Sequence, residues 1–232
     1  MRKILASSLV VLGLVGGVTA PTFAADTRYI SVSSTGTVKV TPDTVRFNYQ
    51  VSVLTSSNAD ALSQASAAAA KVRASLIANG ITTQNIKSTT LTVFPEYNYT
   101  QDKGSVLSGY RATQSFEVII RNASGAGAVV DAATAAGGDA IQITGVTPYV
   151  YDDTKASENA RNNAVARAKA KAMSYAKLLG VHLGAVIYLE ETTAPSPFPI
   201  MMAVAKSDSG ATQIDLGQQD VTISINTKWS IR

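Results

Sequence analysis

Alanine recurs at positions 156, 160, 164, 168, 172 and 176, every fourth residue of the run from Lys155 to Leu179. Asp152, Asp153 and Thr154 ahead of the run offer capping groups at an end where negative charge is favoured. Gly180 stops it, with Lys177 in the last turn. The pattern predicts one long helix. A step of four residues advances a helix by about 400°, so the ladder is expected to drift around the cylinder instead of holding one face. Side chains this small admit a close approach by a crossing helix or a sheet. The rest of the chain has to supply that partner.

Strands are available. Val45, Phe47, Tyr49, Val51 and Val53 alternate with Arg46, Asn48, Gln50 and Ser52, the period of a half-buried strand. Ser57 to Asp60 then supplies a Ser-x-x-acid helix start. Ala59 to Ala78 carries Leu62, Ala65, Ala69, Val72 and Leu76 as an apolar stripe, and Asn79-Gly80 ends it. Ile86 to Tyr99 returns as a strand. The same order recurs in Tyr110 to Arg121 (strand), Ser124 to Ala136 (a shorter helix ended by Gly137-Gly138) and Ile141 to Tyr151 (strand). Residues 45–99 and 110–151 therefore read as two strand–helix–strand units, related by pattern and not by identity.

Val32 to Val40 reads as strand, turn or bulge, strand. Ala185 to Glu190 and Val221 to Ile231 read as strands. Residues 193–210 hold three prolines and no period, and read as a long loop. No internal break resembles a linker. Residues 25–232 are expected to form one α+β domain: two strand–helix–strand repeats, a long C-terminal helix and final strands, in an antiparallel or mixed sheet with helices on one face.

Residues 1–24 are set apart. Arg2 and Lys3, the apolar run Ile4 to Val18 and the small residues of Thr22-Phe-Ala24 have the layout of a secretory signal, with cleavage after Ala24 or Ala25. The apolar run is too short and glycine-rich for a comfortable membrane span. A periplasmic or secreted protein is expected. The chain has no cysteine, which removes disulfides and a lipid anchor on a cysteine from the reading. The formal net charge of +4 includes Arg2 and Lys3, so the remaining excess does not argue for nucleic acid.

The same residues offer little for catalysis. His182 is the one histidine and has no acid beside it, whereas a metal site wants three or four convergent ligands. Asp152-Asp153 and Glu190-Glu191 are acid pairs, but neighbours on a strand point to opposite faces, and capping accounts for the first pair. Gly125-Ala-Gly127 lacks the spacing of a nucleotide loop, and no serine sits in Gly-x-Ser-x-Gly. No catalytic residue, metal site or cofactor is expected.

What remains is surface. The stretches "TVFPEYNYT" (92–100) and "GVTPYVYDD" (145–153) each place a proline and a Tyr-x-Tyr pair after a valine. Tyr97 and Tyr99, like Tyr149 and Tyr151, would share a strand face. The four would lie together if the two repeats paired, as a ligand surface, as sheet packing or as an interface. Phe198, Ile200, Met201 and Met202 cluster among prolines, either as an interface or folded back on the domain. Arg161, Arg167, Lys169, Lys171 and Lys177 make the long helix basic, either as a solvated face or toward an anionic surface. A peripheral envelope or membrane contact is therefore an expectation as well.

The segments "GTVKVTPDTVRFNYQVSV", "GYRATQSFEVIIRN", "DAATAAGGDAIQITGV" and "ARNNAVARAKAKAMSYAKLLGVHLGAVIYLEE", taken in order, resemble the SIMPL-domain family of exported bacterial proteins. The likeness covers essentially all of residues 25–232. Thr147-Pro148 departs from it, standing where the family more often continues a strand with an apolar residue, and Asp139 stands near an expected asparagine. The resemblance implies a periplasmic or secreted homo-oligomer without established catalytic residues, associated with stress defence.

Overall fold

The computed structural model describes residues 28–192 and 212–232. The expected signal, 1–24, and the cluster Phe198, Ile200, Met201 and Met202 lie outside the described residues. In chain order the elements are β1 (Tyr29–Val40), β2 (Thr44–Thr55), α1 (Asn58–Ala78), β3 (Ile86–Thr100), β4 (Gly104–Ile120), α2 (Ala126–Gly137), β5 (Ile141–Tyr149), α3 (Thr154–Leu179), β6 (Leu183–Glu191) and β7 (Gln219–Ile231). The strands form two sheets where the sequence suggested one. Their orders are β3-β4-β2-β5 and β1-β7-β6, and every neighbouring pair is antiparallel.

The four-stranded sheet holds both strand–helix–strand units, and the two units interleave. β4 of the second unit lies between β2 and β3 of the first, the split arrangement of a βαββαβ fold. Val45, Phe47, Tyr49 and Val51 turn inward from β2 and Phe116 and Val118 from β4. They meet Ala65, Ala69, Val72 and Leu76 of α1 and Val129, Val130 and Ala133 of α2. Ala61, not Leu62, heads the buried stripe of α1. Ser57 starts that helix as the sequence predicts: its Oγ accepts from the Asp60 amide (3.1 Å) and donates to Asp60 Oδ2 (2.8 Å), closing the first turn. Pro148 stays within β5, at the sheet edge, where the missing N–H does least harm.

Tyr49 stacks between Phe47 and Phe116, with ring centroids 5.2 and 4.9 Å away. Its hydroxyl is buried and has no hydrogen-bond partner among the described residues. Burial pushes the phenol up to about 12. A buried hydroxyl without a partner costs about 1 kcal/mol or more, so Tyr49→Phe is expected to stabilise the fold by about 1 kcal/mol. The raised value also sets the sign of the alkaline response. The folded state holds the neutral phenol, so the parent protein loses stability as pH climbs from 10.0 through about 12, and the phenylalanine variant lacks that contribution. Urea titrations at neutral and alkaline pH test both points; a destabilised Tyr49→Phe would show that the hydroxyl has a partner.

The three-stranded sheet lies under α3. β1 pairs with β7 along its whole length, from Tyr29 opposite Ser230 to Val40 opposite Gln219. Ile30 and Val32 of β1 and Ile223, Ile225 and Trp229 of β7 pack with Ala160, Ala164, Ala168, Ala172 and Ala176. The expected drift of the ladder does not expose it: the six alanines of the ladder, Ala156, Ala160, Ala164, Ala168, Ala172 and Ala176, are all buried. A sheet twists along its strands, so the line of contact turns with the i, i+4 row. The expected break in β1 is likewise absent. Gly36 lies inside a continuous strand, where a Cβ would overlap the Ala160 carbonyl oxygen and the Ala164 nitrogen. It is glycine because helix and strand touch there. Ser34 Oγ donates to the Ala164 carbonyl beside it (2.7 Å).

Asp43, in the short link between β1 and β2, ties the two halves together. Its carbonyl accepts from the Ala123 amide (3.1 Å), and its Oδ1 accepts from the Tyr151 amide (3.0 Å) and from Thr44 Oγ1 (2.9 Å). Gln219 Nε2, at the start of β7, donates to the Pro148 carbonyl (2.8 Å).

Candidate functional site

The pairing of β2 with β4 ends at Thr55 opposite Tyr110, while β3 and β4 remain paired out to Thr100 and Gly104. Residues 96–109 therefore project past the sheet as a two-stranded ribbon. The register shifts after Glu96, opposite Gly109, whose φ of +153° and contact with the Thr55 carbonyl leave no room for a side chain. Arg111 braces the base of the ribbon. Its Nε and Nη2 donate to the two Glu96 carboxylate oxygens, the second at 3.0 Å, and its Nη1 donates to Ser52 Oγ (3.2 Å). The Arg111 hydrogen bonds hold the Glu96 carboxyl below its ordinary range. Both side chains are more than a third exposed, so the pair fixes geometry more than it adds stability. Beyond it Tyr97 is 58% and Tyr99 80% exposed, with Val106 and Leu107 exposed beside them, while Phe94 is exposed at the base, opposite Arg111.

Tyr149 and Tyr151 lie elsewhere. Tyr149 ends β5 opposite Thr44, under the Arg46 guanidinium 4.8 Å from its ring centroid. Burial is the main reason that its phenol is raised above the ordinary value. Tyr151 follows the strand, with Arg121 3.1 Å over its ring. β3 and β5 are opposite edges of the sheet, and Thr44 and Thr55 are opposite ends of β2. The two tyrosine pairs thus occupy opposite corners. Their expected meeting required the repeats to pair side by side, and the repeats interleave instead.

The acid pairs weighed for chemistry have structural partners. Asp152 Oδ1 accepts from the Thr154 amide (3.0 Å) and Asp153 Oδ2 from Ser157 Oγ (3.3 Å), both at the start of α3. Glu190 accepts from Tyr188 OH (2.9 Å), while Glu191 accepts from Arg161 Nε (2.8 Å) and Nη2 (3.2 Å). The second acid pair is thus split between the two faces of β6. The His182 backbone pairs with Arg232. Among the described residues no group of three or more His, Cys, Asp or Glu could hold a metal.

The basic residues of α3 divide into two rows with different work. On one flank Lys171 Nζ, Arg167 Nη1 and Asn163 Nδ2 donate to the carbonyls of Ser33 (3.2 Å), Thr35 (3.0 Å) and Thr37 (a long 3.5 Å). Four helical residues rise about 6 Å and two strand residues about 6.6 Å, so an i, i+4 row can cap every second carbonyl of an adjacent strand. This ladder closes the free edge of β1 to further strand pairing. The other flank begins at Arg161, which is held by Glu191 of β6. Continuing that row by fours gives Val165, Lys169, Met173 and Lys177. Val165 and Met173 are exposed, and so are Val186, Ile187 and Leu189 of the facing strand β6. Sequence reading missed this second surface. Its signal was the uncharged run "LGAVIYL" beside a basic helix.

The structure thus defines a two-sheet α+β protein with two exposed apolar surfaces, the β3–β4 ribbon and the α3–β6 flank. The SIMPL family, described as a protein of unknown function (DUF541), matches residues 30–229, and the chain belongs to it. The 26 kDa periplasmic immunogenic protein of Brucella melitensis is 28% identical, over 98% of this chain and 97% of that protein. The uncharacterized protein YggE of Edwardsiella ictaluri is 32% identical over 83% of this chain and 82% of its own, and YggE of Escherichia coli K12 is 32% identical over 76% and 72%.

Proposed function

We propose that this chain is an exported, non-enzymatic periplasmic protein that self-associates through the β3–β4 ribbon and contributes to envelope or oxidative-stress tolerance. The observation that carries the reading is the ribbon itself. A two-stranded ribbon is at best marginal in water, yet this one is braced at its base by Arg111 and Glu96 and displays Tyr97, Tyr99 and Leu107 to solvent. Rigid exposed aromatics of this kind are typical of the centres of protein interfaces. The layout of residues 1–24 and the similarity to the periplasmic immunogenic protein of Brucella support the periplasm. A single ligand site built from all four tyrosines is not proposed, because the fold holds them at opposite corners.

The test is particle mass. The chain from Ala25 onward, which contains every described residue, is expected to scatter light as a multimer at micromolar concentration. The double substitution Tyr97→Lys, Tyr99→Lys should lower the mass toward that of one chain while leaving the unfolding midpoint unchanged, since both side chains are exposed. A parent protein that is already monomeric overturns the reading.

A further inference from the structure

We propose that the α3–β6 flank is a docking surface for anionic phospholipid, distinct from the β3–β4 ribbon. Contacts at both sides of α3 fix which row faces which strand: Asn163, Arg167 and Lys171 reach β1, and Arg161 reaches β6. The row Val165, Lys169, Met173, Lys177 therefore borders β6. It alternates apolar and cationic side chains one turn apart. Val186 stands opposite Trp229, and Leu189 opposite Thr227. Trp229 and Thr227 are buried on the α3 side of β7, so Val186 and Leu189 face the same side as that row.

Helix α3 covers β1 and β7 and leaves this strip open. Met173 is 54% and Leu189 53% exposed, with Val165 and Val186 somewhat less so. Register shifts on either side of Val186 bend the edge of β6, which disfavours a straight added strand as the occupant.

Charge selects the occupant. No acidic residue stands between Glu158 and Glu190. Glu191, at the end of the strip, is already taken by Arg161. Among the described residues Lys169 and Lys177 have no ion-pair partner, whereas four other basic side chains do. An apolar strip bordered by unpaired cations matches an interfacial element, which buries its apolar side chains at the level of the headgroups while lysines meet the lipid phosphates. A second copy of the chain would bring the same cations to the contact. No helix among the described residues is long and apolar enough to cross a membrane, and the contact proposed here is peripheral.

The experiment is vesicle sedimentation of the chain from Ala25 onward. One set of vesicles mixes phosphatidylglycerol with phosphatidylcholine; the other is phosphatidylcholine alone. Binding is expected to the first set only and to fall as salt is raised. Each of Lys169→Ala and Lys177→Ala should weaken it about fivefold. Met173→Asp with Leu189→Asp should abolish it, with unfolding midpoints near that of the parent because the sites are exposed. Equal binding to neutral vesicles, no binding, or binding unaffected by these substitutions overturns the proposal. So does a drop in particle mass in Met173→Asp, Leu189→Asp when the parent protein binds no vesicles, which would make the strip a protein contact. Tyr97→Lys, Tyr99→Lys should still bind vesicles, so failure of the ribbon reading and failure of this one are separable.

Discussion

Gly36→Val is expected to destabilise the protein by about 3 kcal/mol or more, a loss set by backbone and not by side chains. A Cβ at this position overlaps the Ala160 carbonyl oxygen and the Ala164 nitrogen, and neither atom can rotate away. Helix α3 would have to lift from β1. Lifting it strips the Arg167 and Lys171 caps from Thr35 and Ser33 and opens the packing of Ala160, Ala164 and Ala168 on Ile30 and Val32. Trp229 is the single tryptophan and lies in that core, with Nε1 donating to Thr227 Oγ1 (3.1 Å). Its fluorescence should therefore report the lifting directly. A Gly36→Val protein with the parent's emission maximum and urea midpoint would show that the contact is looser than described.

The second large effect belongs to the other core. Phe47 is fully buried on β2, stacked on Tyr49 and opposite Val118. Phe47→Ala removes a ring that α1 and α2 both close over. Such truncations in close-packed cores cost about 3 to 5 kcal/mol. The loss should appear in the far-ultraviolet circular dichroism midpoint. An effect below about 1 kcal/mol would mean that the cavity collapses, which the stacked Tyr49 ring makes hard.

The sequence showed most of the elements and few of their neighbours, for identifiable reasons. The alternation from Val45 to Val53 was legible because one face of β2 meets helices and the other meets water, and a slip by one residue would invert every side chain. The helix at 154–179 was legible from its caps and its alanines. Its contact line was not, because the twist of a sheet is a property of paired strands. The stretch around Gly36 read as a turn or bulge, since glycine within a strand pattern signals a bend, a bulge or a close approach, and only packing separates them. The repeats were visible as pattern, yet pattern does not say whether two units lie side by side or interleave. That choice placed Tyr97 and Tyr149 at opposite corners. The division of α3's cations was hidden for a similar reason: Lys169 and Lys171 are two residues apart in a basic run, and one caps a strand while the other faces an open apolar strip.

The pairing of β1 with β7 governs the order in which the molecule can come into being. Tyr29 is joined to Ser230 and Val40 to Gln219, so the earliest strand of the described fold has its only strand neighbour at the far end of the chain. Until β7 is in place β1 has no strand to pair with among the described residues, and α3 has no complete floor on which to settle. Contacts this distant in sequence form slowly. The four-stranded sheet has all its strands between Thr44 and Tyr149, so it can close on α1 and α2 before the β1–β7 sheet does.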